Sequence, residues 1–121
     1  MRILWWLLAV TWMVLIFWLS ASPDARGGSS LLELIPFGDK VAHGIAFGVL
    51  GALLYLATGS VWSALLGASL YGLSDELHQM YVSGRSADMR DWLADTIGAL
   101  IFILGVKYLT QTFKRARKTL Q

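Results

Sequence analysis

Long apolar stretches separated by short polar ones dominate the hydrophobic pattern of this chain. They occupy residues 3–20, 41–57, 61–78 and 92–110. Each is close to the roughly 20 apolar residues that an α-helix needs to cross the hydrocarbon core of a bilayer. A spanning segment must satisfy its backbone hydrogen bonds internally, so each stretch should be a helix. The pattern therefore predicts an all-α integral membrane bundle of four transmembrane helices, forming a single domain over residues 1–121.

Segments with turn-forming residues separate the four stretches. The segment 22–38 contains both prolines of the chain and a Gly-Gly-Ser-Ser run, which is typical of a loop. Thr58, Gly59 and Ser60 form a turn so short that the second and third spans should fold as a tight helical hairpin. Residues 80–90 then make a short polar connection to the fourth span.

The composition favours a membrane protein over a soluble domain. Of the 121 residues, 56% are hydrophobic and 15% are charged, and the mean hydropathy is +0.59. A soluble domain of this size would struggle to bury so much apolar surface, so the lipid bilayer is the predicted partner. The chain has no cysteine, which excludes disulfides, thiolate zinc sites and a cysteine nucleophile.

Lysine and arginine residues predict how the chain lies in the membrane. The formal net charge is +2, and the densest basic run lies in the tail 111–121, directly after the fourth span. Cytoplasmic segments next to a span carry an excess of these residues, so we expect both termini to be cytoplasmic. The basic run indicates a topology signal or a contact with anionic lipid, and no nucleic-acid partner is expected.

A cleaved signal peptide is the alternative interpretation of the first apolar stretch. Arg2 precedes it, and Ser20, Ala21 and Ser22 offer small residues for cleavage. The stretch is, however, longer than the apolar region of about 7–15 residues that is usual in signal peptides. We therefore expect it to remain as the first span.

Ionisable residues concentrate at the start of the second span, the end of the third and the start of the fourth. A hairpin returns the chain to the face that it left, so these three ends should meet at one face, which the predicted orientation makes external. Spans two to four are thus expected to form a polar pocket at one end of the bundle. The candidate binding residues are Asp39, His43, Asp75, Glu76, Gln79, Arg85, Asp88, Asp91 and Asp95.

Helical spacing indicates which side of each span faces the pocket, because residues three or four apart share a side. Asp39 and His43 form one such row, and Asp91 and Asp95 form another. Small residues spaced by four, beginning with Gly44 in the second span, would let the helices approach closely. Charges at membrane depth cost roughly 2.5–3.5 kcal/mol each, so arginines, protonation or a metal ion should compensate the excess of acids.

The order and spacing of these motifs resemble the VanZ-like family over about residues 37–103. The resemblance rests on Asp39-Lys40-x-x-His43-x-x-x-Phe47, Asp75-Glu76-x-His78-Gln79 and Gly84-Arg85-x-x-Asp88-x-x-Asp91-x-x-x-Asp95-x-x-Gly98. It places Glu76 and Gln79 on the family's Glu/Gln positions, Arg85 on its arginine, and Asp91 and Asp95 on its fourth-helix pair. Asparagine commonly occupies the second position of that pair, so Asp95 departs from the pattern.

The resemblance implies a small multi-pass protein of the bacterial cell membrane. Members of the family are associated with resistance to glycopeptide antibiotics such as teicoplanin, and no agreed biochemical activity accompanies the family. The favoured interpretation is a protein that binds or shields a cell-envelope component at the outer face. The ligand would be a lipid headgroup, a cell-wall precursor or a glycopeptide antibiotic.

Two alternatives stay open at this point. The first is an enzyme for a lipid-linked or cell-wall substrate, with His43, Glu76 and Asp91 as catalytic or metal-ligating candidates and Arg85 as an anion clamp. An oxygen-rich site with one imidazole suits magnesium, manganese or iron better than structural zinc, but the spacing matches no established metal motif. The second is a purely structural network of buried hydrogen bonds. A proton or ion conduit is disfavoured because the spans are apolar beyond His43 and Asp95.

Overall fold

The computed structural model describes residues 2–21, 38–82 and 87–121, and its regular elements are helices. They are α1 (Arg2–Ala21), α2 (Gly38–Thr58), α3 (Val61–Gln79) and α4 (Met89–Thr119). The described ranges contain no strand, so the predicted all-α fold is confirmed. Arg85 lies outside the described residues, as does the side chain of Asp39.

Three of the helices are long and apolar enough to cross a membrane, namely α1, the Lys40–Thr58 part of α2, and α4. Helix α3 has 19 residues. At about 1.5 Å per residue its length is close to the hydrocarbon thickness of about 30 Å. The polar residues in its last turns lower its hydropathy, so it does not belong to this group. That α3 also crosses the bilayer stays a prediction.

Consecutive helices run antiparallel. The guanidinium of Arg2 lies 3.5 Å from the position that a Cβ on Gly59 would take, so α1 begins beside the α2–α3 turn. At the other end of the bundle, the Gln79 amide lies 3.3 Å from the Ser20 hydroxyl, so α1 ends beside the end of α3. The start of α2, the end of α3 and the start of α4 therefore lie together. We call this end of the bundle the polar end.

Local capping explains where the hairpin turns and where α4 begins. Gly59 has a φ of +73°, a conformation that L side chains rarely adopt, and its N–H donates to the Tyr55 carbonyl at 2.7 Å. Ser60 then caps α3, since its hydroxyl accepts the Ser63 N–H at 3.2 Å. Asp88 caps α4 in the same way through the Arg90 N–H at 2.9 Å.

The closest helix contact joins α2 to α4 near the polar end. A Cβ on Gly98 would overlap the backbone of Gly44, and a Cβ on Gly48 would lie 2.6 Å from the ring of Phe102. Below this contact the core is apolar, with Phe47, Leu50, Ala68, Ala99 and Ile103 buried. In lipid the hydrophobic effect does not drive helices together, so association depends on close packing, which these small residues permit.

Partly buried aromatic groups tie α1 and α4 to the α2–α3 hairpin. The Trp12 indole N–H donates to the Ala46 carbonyl at 2.8 Å, and the Tyr71 hydroxyl donates to the Met13 carbonyl at 2.5 Å. The Trp92 indole N–H donates to the carbonyl of Ser69 at 3.0 Å. These bonds fix the rotation of each helix, which in turn fixes what its first or last turn presents at the polar end.

The basic tail is part of the last helix. Helix α4 continues through residues 111–119 to Thr119, which gives it 31 residues. At about 1.5 Å per residue it is about 46 Å long, longer than the hydrocarbon core of about 30 Å. The tail residues are exposed. The apolar boundary at residue 110 is therefore not a helix boundary.

Candidate functional site

Three polar side chains from three different helices converge at the polar end. His43, Glu76 and Asp95 each offer one potential ligand atom, and these atoms all lie within 4.8 Å of one another. His43 Nδ1 and Asp95 Oδ1 are 2.9 Å apart, with 11% and 0% of their side chains exposed. Glu76 is 2% exposed. We call these three residues the histidine–carboxylate cluster.

The helices hold the cluster in a small space above the apolar core. His43 lies in the second turn of α2, Glu76 in the last turn of α3, and Asp95 in the second turn of α4. Gly72 makes room for the aspartate, since a Cβ there would lie 3.1 Å from Asp95 Oδ2. The ring of Phe47 lies nearly parallel to the His43 ring, with centroids 6.5 Å apart. The cluster is therefore closed by apolar atoms towards the bundle centre.

Among the described residues, each carboxylate of the cluster has one oxygen without a hydrogen-bond partner. Glu76 Oε2 accepts the backbone N–H of Asp88 at 2.9 Å, and Asp95 Oδ1 faces His43. Glu76 Oε1 and Asp95 Oδ2 are buried and have no partner in the described part of the chain. An unsatisfied buried acceptor costs about 1–3 kcal/mol, and more when it is charged. The arrangement can therefore accept hydrogen bonds or positive charge.

Lys40 neutralises a second group of acids beside the cluster. Its ammonium lies 2.9 Å from Asp91 Oδ1 and 3.5 Å from Asp88 Oδ2. Asp91 was a predicted partner of His43 and Glu76, but the structure brings Asp95 to them and engages Asp91 with Lys40. Lys40 was not among the candidate site residues. Its place one turn before His43 on the same helix was the available signal.

A third polar group joins α1 to the polar end. The Gln79 amide nitrogen lies 3.3 Å from both Ser20 Oγ and Asp75 Oδ2, and all three residues are buried. The sequence placed Gln79 and Asp75 in the pocket but assigned no role to α1. Ser20 carries no motif, so only the packing of α1 alongside α3 reveals it.

Asp88, just before α4, is half-exposed and lies at the outer edge of the site. Its carboxylate accepts the Arg90 N–H, and this hydrogen bond, together with the nearby Lys40 ammonium, holds the pKa of Asp88 below its usual range. Asp88 therefore stays ionised where it caps the helix. The same residue orients Glu76 through its backbone N–H, so the cap and the cluster are coupled.

The histidine–carboxylate cluster lies inside the region matched by a known protein family. The family model described as VanZ/LLP1 matches residues 5–111. The chain belongs to the VanZ/LLP1 family. This confirms the resemblance drawn from the motifs. The matched region contains the whole histidine–carboxylate cluster and Lys40. Searches of the curated proteins and of the solved structures found no match.

The VanZ/LLP1 chain has two chemical capabilities at this end. The unpartnered oxygens of Glu76 and Asp95 can bind a cation or a hydrogen-bond donor. The His43–Asp95 pair can orient an imidazole for proton transfer, because a carboxylate that bonds one ring nitrogen fixes the tautomer and the ring orientation. The other histidine, His78, lies apart from the cluster, with its ring stacked on Phe17 at a centroid distance of 4.5 Å.

Proposed function

We propose that this VanZ/LLP1 protein is a membrane-embedded binding protein that holds a polar group of a cell-envelope component at its polar end. The observation that carries the proposal is a pair of buried oxygens, Glu76 Oε1 and Asp95 Oδ2, that have no hydrogen-bond partner in the part of the chain that the structure describes. A purely structural network would satisfy such atoms, because the great majority of buried polar groups in proteins are hydrogen-bonded. A ligand that brings donors or positive charge would satisfy both.

We further propose that all four helices cross the cell membrane, with both termini in the cytoplasm and the polar end outside. The antiparallel helix order supports an even number of crossings. The basic end of α4, which carries Lys114, Arg115, Arg117 and Lys118, lies at the opposite end of that helix from Asp95. An excess of Lys and Arg marks the cytoplasmic side. The cluster would then face the envelope, where lipid headgroups, cell-wall precursors and glycopeptide antibiotics are found.

Binding is tested with the full chain in lipid nanodiscs. The probes are teicoplanin, a polyprenyl-pyrophosphate-linked cell-wall precursor, and vesicles of anionic phospholipid. We expect saturable binding of at least one probe, and a loss of about tenfold or more in Glu76→Gln and in Asp95→Asn, since hydrogen bonds to charged groups contribute about 1.5–3 kcal/mol. Ser74→Ala, an exposed change on α3 two residues from Glu76, is the matched control and should bind as the wild type does.

Two outcomes of this experiment would count against the proposal. One is that none of the probes binds saturably. The other is unchanged affinity in both amide variants, because the cluster would then not be the binding site. If instead both variants lose their helical circular dichroism signal while Ser74→Ala keeps it, the cluster is a structural network that holds α2, α3 and α4 together.

Catalysis is the second candidate function, and the His43–Asp95 pair favours it. A histidine held at 2.9 Å from a buried carboxylate has the geometry that orients a general base. Glu76 lies close enough to act as the partner acid. Mass spectrometry of the lipid-linked precursor after incubation with the protein would detect turnover. Product that forms with the wild type and not with His43→Gln would establish an enzyme, whereas binding without product would establish the binding protein.

A further inference from the structure

The spacing of the donor atoms in the histidine–carboxylate cluster fits a single metal ion. Three donors from three helices lie within 4.8 Å of one another. The 2.9 Å between His43 Nδ1 and Asp95 Oδ1 is close to the separation of about 3.0 Å between adjacent ligands on an octahedral ion with bonds of about 2.1 Å. An ion bound to both atoms would replace the hydrogen bond between them.

The unpartnered oxygens give an independent indication of a ligand. Glu76 and Asp95 are 2% and 0% exposed, and each has one buried oxygen without a hydrogen-bond partner among the described residues. Burying a carboxylate is costly unless the charge is paired, so these oxygens require positive charge or a donor. A divalent cation shared between the two carboxylates would provide that charge.

No described cation takes that role at Glu76. The Lys40 ammonium is engaged by Asp91 and Asp88. Within the described ranges no lysine or arginine forms an ion pair with Glu76 or Asp95. The cluster therefore holds two carboxylates against at most one imidazolium. Charge balance with a neutral imidazole calls for two positive charges, which is the charge of a divalent ion.

A neighbouring backbone group holds one of the donors in place, as metal ligands generally require. The Asp88 backbone N–H fixes Glu76 through its other oxygen at 2.9 Å. The Phe47 ring lies nearly parallel to the His43 imidazole, with ring centroids 6.5 Å apart. The contact at Glu76 is made by the chain itself, so this carboxylate is oriented independently of any ligand.

We infer that His43, Glu76 and Asp95 bind one divalent transition-metal ion. One imidazole nitrogen and two carboxylate oxygens suit Mn²⁺, Fe²⁺ or Zn²⁺, and three protein ligands leave coordination positions open to a further oxygen. This inference rests on the proposed function and narrows it. The group recognised at the polar end is then an anionic oxygen, a phosphate or a carboxylate, that contacts the ion.

The test measures metal binding to the full chain in nanodiscs. The protein is stripped with EDTA, dialysed against Mn²⁺ or Zn²⁺, and assayed by elemental analysis. We expect one ion per chain. Changes in groups that only support a ligand typically weaken metal binding 10–100-fold, so the loss of a direct ligand in Glu76→Gln or His43→Gln should weaken it by about 100-fold or more.

A matched histidine control and a spectroscopic readout make the test specific. His78→Gln makes the same substitution in the other histidine of the chain and should bind metal as the wild type does. Electron spin-echo spectra of the Mn²⁺-loaded wild type should contain the modulation of a directly bound imidazole nitrogen. That signal needs no variant, so it stays informative if Glu76→Gln fails to fold.

The possible results separate this inference from the proposed function. Failure of the wild type to retain either metal, or equal binding by His43→Gln and His78→Gln, overturns the metal site. If the wild type retains no metal and an envelope probe still binds in EDTA, the metal site is wrong and the binding function stands. If metal binds at one ion per chain and no probe binds, the metal site stands and the binding function is wrong. Probe binding that EDTA abolishes and Mn²⁺ restores supports both.

Discussion

The contact between Gly44 and Gly98 sets the distance between the two helices that carry His43 and Asp95, so replacing Gly98 by alanine should disturb both stability and the site. A Cβ at position 98 would lie 2.6 Å from the Gly44 Cα. Carbon atoms pack best at about 3.5–4.0 Å, so α2 and α4 would have to separate by about 1 Å. Gly44 follows His43 directly, and Gly98 lies one turn after Asp95.

The magnitude follows from two contributions. Forcing extra volume into a packed interface costs typically about 1–3 kcal/mol. A 1 Å separation would also stretch the His43–Asp95 contact from 2.9 Å beyond hydrogen-bond range, which costs about 1.5–3 kcal/mol more when one partner is charged. We therefore expect Gly98→Ala to lower the free energy of unfolding by about 2.5–6 kcal/mol.

The assay is thermal unfolding in nanodiscs, followed by circular dichroism, with Gly105→Ala as the matched control. Gly105 lies on the same helix, and a Cβ there would meet no atom within 4 Å. The control should be as stable as the wild type or more so, since alanine is favoured over glycine in a helix by about 1 kcal/mol. Equal unfolding temperatures for the two variants would refute the reasoning, because the close approach of α2 and α4 would then not limit the packing.

Three other perturbations address the ion pair beside the site, the cap of α3 at the opposite end of the bundle, and the cap of α4. Lys40→Met should destabilise the protein by about 1–3 kcal/mol, because it leaves the Asp91 carboxylate buried and unpaired. Adding Asp91→Asn should recover most of this loss, as measured in a double-mutant cycle by chemical unfolding. Ser60→Ala removes the cap of α3 and should cost about 1 kcal/mol in the same assay, whereas no change would mean that the turn holds without the cap. The pKa of Asp88 is lowered in the folded protein. Its ionised carboxylate therefore contributes to the free energy of unfolding above the usual aspartate pKa, and this contribution is lost as the pH falls through the lowered value. Asp88→Asn should therefore flatten the acid limb of the stability profile, and an unchanged limb would contradict that assignment.

Much of the architecture could be predicted because it depends on short stretches of sequence. Each of the four apolar stretches corresponds to a helix, and the Thr58–Gly59–Ser60 turn lies between α2 and α3 as expected. The end of α4 was not predictable from hydropathy, since lysine and arginine are good helix formers and continue the helix beyond the apolar residues.

The site was harder to predict than the fold because it depends on helix rotation. Asp91 and Asp95 lie one turn apart on the same side of α4, so helical spacing cannot tell which of them meets His43. The outcome depends on Lys40, which reaches Asp91, and on Gly72, which gives Asp95 room beside α3. Neither contact is visible in the periodicity of a single helix.

The position of the site also explains why α3 is not among the helices that are apolar enough by composition to cross a membrane. Its polar residues Asp75, Glu76 and Gln79 are buried against the other helices, while Trp62, Leu66, Leu70 and Leu77 are exposed. Polarity that faces protein lowers the mean hydropathy of a helix without placing charge in lipid. Helix α3 therefore depends on α2 and α4 to shield its acids. A positive charge held between Glu76 and Asp95 would stabilise the helix in the membrane as well as complete the site.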